Sequence, residues 1–351
     1  MRPHDGGIVS RDQRLSYVQR VGGTGDGHVT AGGSGAHARN GKVVAMGGPM
    51  LTVSVPDEAA RIALGVLPGD VRVLVWDGVG EIPVHGHEIE FFAGRFNTRP
   101  SRETLESLPR LRAVQLVSAG VEPWLSVVPD GVVLCNGRGV HGGSTAELAV
   151  GGMIAMLRGI VPFAMAQRAH RWEHGFTEGL DGRRVAVIGA GDIGTRIATA
   201  VRVFGADVTL VARRARPGVS GIAELKQLLP SQDVVALAVP HTEDTHHLVD
   251  AEFLAALHDD ALLVNVSRGG VVDTEALVAE VLCRRIRAFL DVTDPEPLPV
   301  GHPLWDAPNV LITPHVGTIR GWEERAYRLV REQILRLREG RELVNQVGEH
   351  Y

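Results

Sequence analysis

The 351-residue chain carries 36 basic and 41 acidic residues, which gives a formal net charge of -5 at neutral pH. A slightly acidic chain has no electrostatic footprint for nucleic acid or for an acidic lipid surface, so small-molecule chemistry is the favoured class of function. Two cysteines, Cys135 and Cys283, are too few for a disulfide framework or a cysteine metal site. The length suffices for two domains of ordinary size with a cleft between them.

The first 45 residues are rich in glycine and polar side chains and have no sustained apolar period. They cannot bury enough apolar surface to offset the entropy of ordering, so we expect a disordered tail and a folded protein that begins near Met46. The tail contains no apolar segment typical of a signal peptide, which predicts a cytoplasmic protein. The most apolar stretch, residues 148–166, is interrupted by Arg158 and Pro162, which favours a helix buried against protein over a membrane span.

Five short apolar stretches come next, and they are rich in β-branched residues. They predict a first α/β sheet and comprise residues 51–55, 71–76, 89–93, 114–117 and 132–135. Ser101 is a good N-cap for a helix with Glu103 in its first turn. Residues 118–121 (SAGV) fall at the carboxyl edge of this sheet, where the backbone N–H groups of Ala119 and Gly120 could hold a carboxylate. A simple strand-to-helix turn is the alternative for this segment.

Residues 185–194 (VAVIGAGDIG) predict a strand, a tight turn and the start of a helix. In this G-x-G-x-x-G motif, Gly189 permits the sharp turn, Gly191 lets a pyrophosphate approach the backbone, and Gly194 lets helix and strand pack closely. The helix N-terminus attracts the anion. The motif alone is weak in a chain with 43 glycines. A helix and a second strand complete a βαβ unit, however, and this context predicts dinucleotide binding.

Six near-continuous apolar stretches alternate with helical patterns in this half of the chain and predict a parallel sheet covered on both faces. They comprise residues 185–188, 208–211, 234–238, 262–266, 288–292 and 310–313. We expect the helix after the first of them to bury Ile197, Val201 and Phe204 and to stop at Gly205. The last predicted helix, residues 321–338, is amphipathic and should pack back on the first domain.

A long helix predicted from Gly142 to about Arg158 joins the two sheets. The sequence therefore predicts an α/β fold of two domains, one of them a Rossmann-like doubly wound parallel sheet. The predicted boundaries are a tail over 1–45, a substrate domain over 46–145 that is completed by 318–351, and a dinucleotide-binding domain over 146–317.

Four charged or titratable side chains fall at the carboxyl ends of strands in the second sheet, the edge where ligands bind in this architecture. Arg268 follows the fourth strand, Asp291 and Glu296 accompany the fifth, and His315 follows the sixth. Singly, each could cap a turn or be solvated. Together, beside a dinucleotide site, they match hydride transfer to a 2-keto acid. A guanidinium would bind the substrate carboxylate and keto oxygen, and a histidine oriented by a carboxylate would supply the proton.

From about residue 90 to 320 the chain resembles the D-2-hydroxyacid dehydrogenase family, and in particular its glyoxylate/hydroxypyruvate reductases. The family's Arg-Gly is matched by Arg268-Gly269, its L-D-V-x-x-x-E-P by residues 290–297, and its P-H-x-G by residues 314–317. The resemblance implies that the substrate domain is flavodoxin-like. It also implies a homodimer built around the interdomain helix region.

The resemblance further implies roles for individual residues. It makes Arg268, Glu296 and His315 the catalytic residues, and it makes Ala119, Gly120 and Arg268 the substrate contacts. Asp291 would lie near the nicotinamide. The full set of cofactor contacts expected from the motifs and their surroundings is Gly189, Gly191, Asp192, Ile193, Gly194, Arg213, Arg214, Pro240, Val266, Ser267, Asp291 and Gly317.

The sequence departs from the common family pattern after the second strand of the nucleotide-binding unit. Members that prefer NAD usually carry an acidic residue there, which binds the ribose 2′-hydroxyl. Here Arg213 and Arg214 follow, and their guanidinium groups would favour a 2′-phosphate. NADP(H) is therefore the predicted cofactor, with NAD(H) possible. The alternative is a solvated basic turn.

Two further segments carry weaker signals. His241, His246 and His247 lie in a stretch that resembles the family's P-x-T-x-x-T loop and lack metal-ligand spacing, so no metal site is expected. Phe96 follows the third strand, where phosphoglycerate-type members tend to place Arg-Ser, which argues against a phosphorylated substrate.

The predicted function is reduction of a small 2-keto acid, such as glyoxylate or hydroxypyruvate, to the D-2-hydroxy acid by an NAD(P)-dependent oxidoreductase. The expected partner is that small acid, with no nucleic acid and no membrane. Two alternatives remain open at this point. One is a dinucleotide-sensing, corepressor-like binding protein, which the intact Arg268, Glu296 and His315 argue against. The other is a formate or phosphite dehydrogenase on the same scaffold, which has no specific support in the sequence.

Overall fold

The computed structural model describes residues 50–96 and 98–348 of the chain. The expected disordered tail and a start near Met46 lie outside these residues. Within them the structure contains two parallel sheets, each with helices packed against it.

The first sheet has five parallel strands in the order β2-β1-β3-β4-β5. The strands are β1 (Leu51–Val55), β2 (Val71–Val75), β3 (Ile89–Ala93), β4 (Ala113–Gln115) and β5 (Val133–Cys135). This order is the flavodoxin-like arrangement. All five strands predicted from the apolar runs are confirmed, with ends that differ by at most two residues.

The second sheet has seven parallel strands in the order β12-β11-β10-β9-β6-β7-β8. They are β6 (Arg184–Ile188), β7 (Asp207–Ala212), β8 (Ser220–Gly221), β9 (Val234–Leu237), β10 (Leu262–Asn265), β11 (Arg287–Leu290) and β12 (Val310–Ile312). The reversal of strand order at β6 is the feature of a Rossmann sheet that creates a ligand crevice. The expectation of six strands was wrong by one, because the two-residue β8 has no apolar run of its own.

The helices cover both sheets, and the two-domain α/β fold class is thus confirmed. In the described residues they are α1 (Glu58–Leu64), α2 (Arg102–Glu106), α3 (Gly142–Leu157), α4 (Ile160–Arg168), α5 (Asp192–Val203), α6 (Leu225–Leu228), α7 (Ala251–Ala256), α8 (Thr274–Leu282) and α9 (Trp322–Arg338). Ser101 caps α2 as predicted, with its hydroxyl accepting from the N–H of Thr104. Helix α4 was not predicted. Pro162 lies in its first turn, where a missing N–H breaks no helical hydrogen bond.

Helix α5 corrects one predicted core residue. Ile197 and Val201 are fully buried, as expected, but 49% of Phe204 is exposed. The helix ends at Val203 and Phe204 is its C-cap, so the Phe204 side chain leaves the helical face that packs on the sheet. Gly205 follows with a φ of +84°, the left-handed conformation expected just after a helix.

Helix α9 returns to the first sheet, as predicted from its amphipathic pattern. Tyr327, Val330 and Ile334 are buried in the same apolar cluster as α1 and β1. The fully buried Gln333 donates from Nε2 to Oε1 of Gln115 in β4 at 2.7 Å, which fixes the helix to the sheet by a polar contact as well. The C-terminal helix therefore belongs to the core of the first sheet.

No single helix among the described residues is long and apolar enough to cross a membrane. Helices α3 and α4 reach that length and apolar composition only when taken together, and the chain bends by 65° at the break between them.

Candidate active site

The loop between β6 and α5 uses its three glycines for three different reasons. Gly189 has a φ of +110°, and a Cβ there would overlap the carbonyl of Ala238. A Cβ on Gly194 would overlap the carbonyl of Gly189, whereas a Cβ on Gly191 would meet nothing within 4 Å. No side chain caps the N-terminus of α5. An open backbone at a helix N-terminus fits the pyrophosphate of a dinucleotide.

A cleft of about 320 Å³ lies along this loop and is walled by both sheets. The predicted site residues that line it are Ala119, Gly120, Gly191, Asp192, Ile193, Pro240, Val266, Ser267 and Arg268. The structure therefore brings these nine predicted contacts together, whereas the remaining predicted cofactor contacts do not line the cleft: Gly189, Gly194, Arg213, Arg214, Asp291 and Gly317. Glu122 and the residues from Asn136 to Gly139 also line the cleft and were not expected there. The sheet order explains them, because their loops follow β4 and β5 at the same carboxyl edge.

Arg268 lies directly against Gly120. A side chain at position 120 would overlap the guanidinium, so the glycine is required by this approach. The Arg268 guanidinium donates from Nη1 to the carbonyl of Ser267 at 2.8 Å, and its Nε lies 3.7 Å from Oε1 of Glu122. The buried side chain of Asn265 accepts from the N–H of Ser267 and donates to the carbonyl of Arg268, which fixes this loop. A rigid guanidinium beside a glycine backbone suits a carboxylate.

His315 and Glu296 form a close pair at the ends of β12 and β11. Nδ1 of His315 is 2.6 Å from Oε1 of Glu296, and nearly half of each side chain is exposed, 46% and 41%. The Glu296 carboxylate accepts the hydrogen bond, so Nδ1 of His315 is the donor. Nε2, the other ring nitrogen, does not contact Glu296 and could exchange a proton with a ligand. Neither residue lines the 320 Å³ cleft, although both follow strands of the same sheet edge.

Asp291 directly follows β11 and only 3% of it is exposed. Its Oδ1 accepts from the Thr313 hydroxyl at 2.6 Å and from the N–H of Val316 at 2.9 Å. Its Oδ2 accepts from the N–H of Gly317 at 3.1 Å. The carboxylate therefore holds the loop that presents His315. Its expected proximity to the nicotinamide stays a prediction, and the loop contact is a second role that the motif did not reveal.

The same loop connects to the start of α3. Thr145 donates from its hydroxyl to the carbonyl of Gly317 at 3.3 Å. The buried His141 ring donates from Nε2 to the carbonyl of Val117 at 3.0 Å, and Nδ1 faces the hydroxyl of Thr318 at 3.3 Å. Burial lowers the pKa of His141, more than the bond to Val117 raises it. The His141 imidazole thus joins the two segments of chain that run between the sheets.

The basic turn after β7 lies beside the glycine loop. The N–H of Gly189 donates to the carbonyl of Val211 at 2.8 Å, and Nη2 of Arg216 donates to the carbonyl of Ala190 at 3.2 Å. Arg213 and Arg214 are exposed, and neither forms a hydrogen bond or ion pair within residues 50–96 and 98–348. Arg216 belongs to the same basic turn, but its contact with the glycine loop was not predicted, because it depends on how the turn folds back.

The three histidines after β9 lie together. Nε2 of His241 is 3.1 Å from Nδ1 of His246, and the rings of His246 and His247 stack with centroids 4.0 Å apart. Among the described residues, no group of three or more His, Cys, Asp or Glu side chains is arranged to hold a metal ion.

A Rossmann sheet with an open glycine loop, facing a second parallel sheet across a cleft, is the architecture of a dinucleotide-binding protein. The profile of the D-isomer specific 2-hydroxyacid dehydrogenase NAD binding domain matches residues 150–317. The glyoxylate/hydroxypyruvate reductase B of Pectobacterium carotovorum subsp. carotovorum is 32% identical over 231 residues, which cover 62% of this chain and 72% of that protein. The chain belongs to the D-isomer specific 2-hydroxyacid dehydrogenase family.

Solved structures agree with this assignment. A D-isomer specific 2-hydroxyacid dehydrogenase from Xanthobacter autotrophicus Py2, in complex with NADPH and MES, is 31% identical with a TM-score of 0.74, and the match covers 86% of this chain and 98% of that one. An NADPH-dependent glyoxylate/hydroxypyruvate reductase from Sinorhizobium meliloti is 25% identical with a TM-score of 0.73, covering 85% and 98% of the two chains.

The contacts of Asp291 generate a prediction for stability. Asp291→Asn replaces one acceptor oxygen by an NH₂ group that faces a backbone N–H. We expect the free energy of unfolding to fall by about 1.5 to 3 kcal/mol, the contribution of one charge-assisted hydrogen bond. Equilibrium unfolding in urea measures the free energy of unfolding of the variant and of the unmodified protein. Asp244→Asn, at an exposed position, is the matched control. Equal stabilities of the two variants would contradict the loop-holding role.

Proposed function

We propose that this 2-hydroxyacid dehydrogenase is an NADPH-preferring reductase of small 2-keto acids, such as glyoxylate or hydroxypyruvate, and that it forms the D-2-hydroxy acid. The observation that carries the proposal is the 2.6 Å pair of His315 and Glu296 at the sheet edge that also carries Arg268. The Pectobacterium and Sinorhizobium relatives, both named glyoxylate/hydroxypyruvate reductases, support the choice of substrate class.

The proposed reaction assigns one task to each residue. Arg268 binds the substrate carboxylate and keto oxygen through forked hydrogen bonds, beside the backbone of Ala119 and Gly120. The dinucleotide, when bound, supplies the hydride. His315 supplies the proton from Nε2 to the keto oxygen as negative charge develops there. Glu296 holds the imidazole through Nδ1 and stabilises its protonated form before transfer.

The preference for NADPH rests on Arg213 and Arg214. Both guanidinium groups are exposed after β7, next to the glycine loop, and have no partner in the described part of the chain. A 2′-phosphate would supply the acceptor oxygens that these groups lack. The NADPH complex of the Xanthobacter relative supports the same cofactor. NADH is expected to serve less well.

We further propose a homodimer, as the family resemblance implies. The segment from α4 to residue 178 exposes large apolar side chains, with Met165, Trp172 and Phe176 at 65%, 97% and 102% exposure. Such a concentration of exposed apolar surface is typical of an interface. A second copy of the chain is the proposed partner. Sedimentation equilibrium should give twice the mass of one chain, and a mass of one chain would contradict the dimer.

The predicted domain boundaries belong to this proposal as well. Residues 46–145 with 318–351 would bind the keto acid, and residues 146–317 would bind the dinucleotide. The cytoplasmic location likewise stays a prediction from the sequence.

The proton-donor role predicts the outcome of His315→Ala. Turnover should fall by about 100-fold to 10,000-fold, the usual contribution of a general acid. NADPH binding, followed by nucleotide fluorescence, should change little, because His315 lies outside the glycine loop. His87→Ala, at an exposed position, serves as the control. Near-normal turnover of His315→Ala would refute the assignment. Cofactor binding without turnover by the unmodified protein would instead favour a dinucleotide-sensing binding protein.

The cofactor preference predicts the outcome of Arg213→Ser/Arg214→Ser. Loss of charge-assisted hydrogen bonds to the 2′-phosphate should lower kcat/KM for NADPH by tenfold or more, at about 1.5 to 3 kcal/mol per bond. The value for NADH should stay within about threefold, because NADH has no phosphate at that position. Initial rates with each cofactor give both values, and the exposed Arg110→Ser is the control. A parallel loss with both cofactors would contradict the proposal.

A further inference from the structure

We propose that Glu122 is a specificity-determining residue that accepts a hydrogen bond from a hydroxyl on C3 of the 2-keto acid. The inference rests on the proposed function and assigns a recognition role to a residue that the motifs do not include. Glu122 lines the cleft and is the first residue of a short 3₁₀ turn, Glu122–Trp124. Trp124 is buried and packs its ring near that of Phe92, with centroids 6.4 Å apart. The backbone that carries Glu122 is therefore anchored.

The Glu122 carboxylate has no hydrogen-bond donor among the described residues. Its Oε1 is buried without a partner, and the nearest charged atom, Nε of Arg268, lies 3.7 Å away, beyond hydrogen-bond distance. Its Oε2 lies 2.7 Å from the point where a Cβ on Gly120 would be. The ion pair with Arg268 offsets part of the desolvation of Oε1, whereas Oε2 accepts no hydrogen bond from the described residues. Because Oε1 is shielded from solvent, a ligand in the cleft would reach Oε2 and supply the hydrogen-bond donor that Oε2 lacks.

The position of Glu122 determines which part of a ligand can reach it. Arg268 and Gly120 are the proposed anchors of the substrate carboxylate, and the Glu122 carboxylate lies against both. In a 2-keto acid, C3 is two bonds from the carboxylate carbon, so a substituent on C3 falls within reach of Glu122. A hydroxyl would donate to it. A methyl group could not, and a second carboxylate would be repelled by it.

The Glu122 carboxylate therefore favours a 3-hydroxy-2-keto acid, of which hydroxypyruvate is the smallest. It disfavours pyruvate, which lacks the hydroxyl, and dicarboxylic keto acids such as oxaloacetate. A site built to bind a hydroxyl discriminates strongly against an analogue that lacks it, because the buried polar group is then left unpaired. The alternative is that Glu122 only orients the Arg268 guanidinium through charge. That role would affect every 2-keto acid alike.

The test is steady-state reduction of hydroxypyruvate, pyruvate and oxaloacetate by the full chain with NADPH, compared with Glu122→Gln. The amide has the same shape but lacks the charge and is a weaker acceptor. We expect the kcat/KM ratio of hydroxypyruvate to pyruvate to fall about tenfold in the variant. The ratio of oxaloacetate to pyruvate should rise, because the repulsion is gone. NADPH binding by the variant verifies that it is folded.

Glu81→Gln is the matched control, since Glu81 is an exposed glutamate of the same domain. It should leave both ratios unchanged. Loss of activity by Glu122→Gln in equal proportion on all three substrates would overturn the inference and leave the proposed function standing. An unmodified protein that reduces none of the three, nor glyoxylate, while binding NADPH, would overturn the proposed function itself.

Discussion

The buried carboxylate of Asp291 is the interaction on which the arrangement of the site depends. It accepts three hydrogen bonds from the segment that runs from Thr313 to Gly317, and His315 lies within that segment. Because Gly317 also accepts from Thr145 at the start of α3, one buried charge fixes both the histidine and a crossing between the two sheets. Loss of the whole carboxylate would leave three donors without a partner in a region where water has little access.

Two parallel sheets explain why residues far apart in the chain meet. Each strand ends at the same edge of its sheet, and the loops of that edge carry the polar side chains. Most strand residues are apolar and buried in the hydrophobic clusters, so the strands form a support for the loops at their ends. The loops after β4 and β5 face those after β6, β9 and β10 across one cleft. The facing edges thus form a cleft whose lining residues come from both sheets, and we propose that it binds the anionic substrate.

The sequence predicted the parts of this fold that have a local physical signature. Continuous apolar runs marked the longer strands, and Gly189 and Gly194 have the steric reasons expected of them, while the role of Gly191 towards a pyrophosphate stays a prediction. Features set by tertiary contact escaped prediction. Strand β8 has only two residues and forms by pairing with β7, while Glu122 and Arg216 acquire their neighbours only when distant loops approach. The pairing of Glu296 with His315 was expected from the family motifs, since no periodicity could show that Glu296 would reach His315.

Local charge must dominate recognition of anions by this chain. A net charge of -5 opposes the approach of a negatively charged acid or dinucleotide at long range, but at physiological salt the screening length is only about 8 Å. Within that distance the proposed site would offer an anion three sets of donors: the uncapped N-terminus of α5, the guanidinium of Arg268 and the exposed arginines after β7. Glu122 differs from these groups, because it places a carboxylate next to the Arg268 guanidinium. The Glu122 carboxylate repels every anionic ligand and lowers its affinity. In the proposal, only a ligand that donates a hydrogen bond to Glu122 compensates for this repulsion, so the site prefers that ligand over other anions.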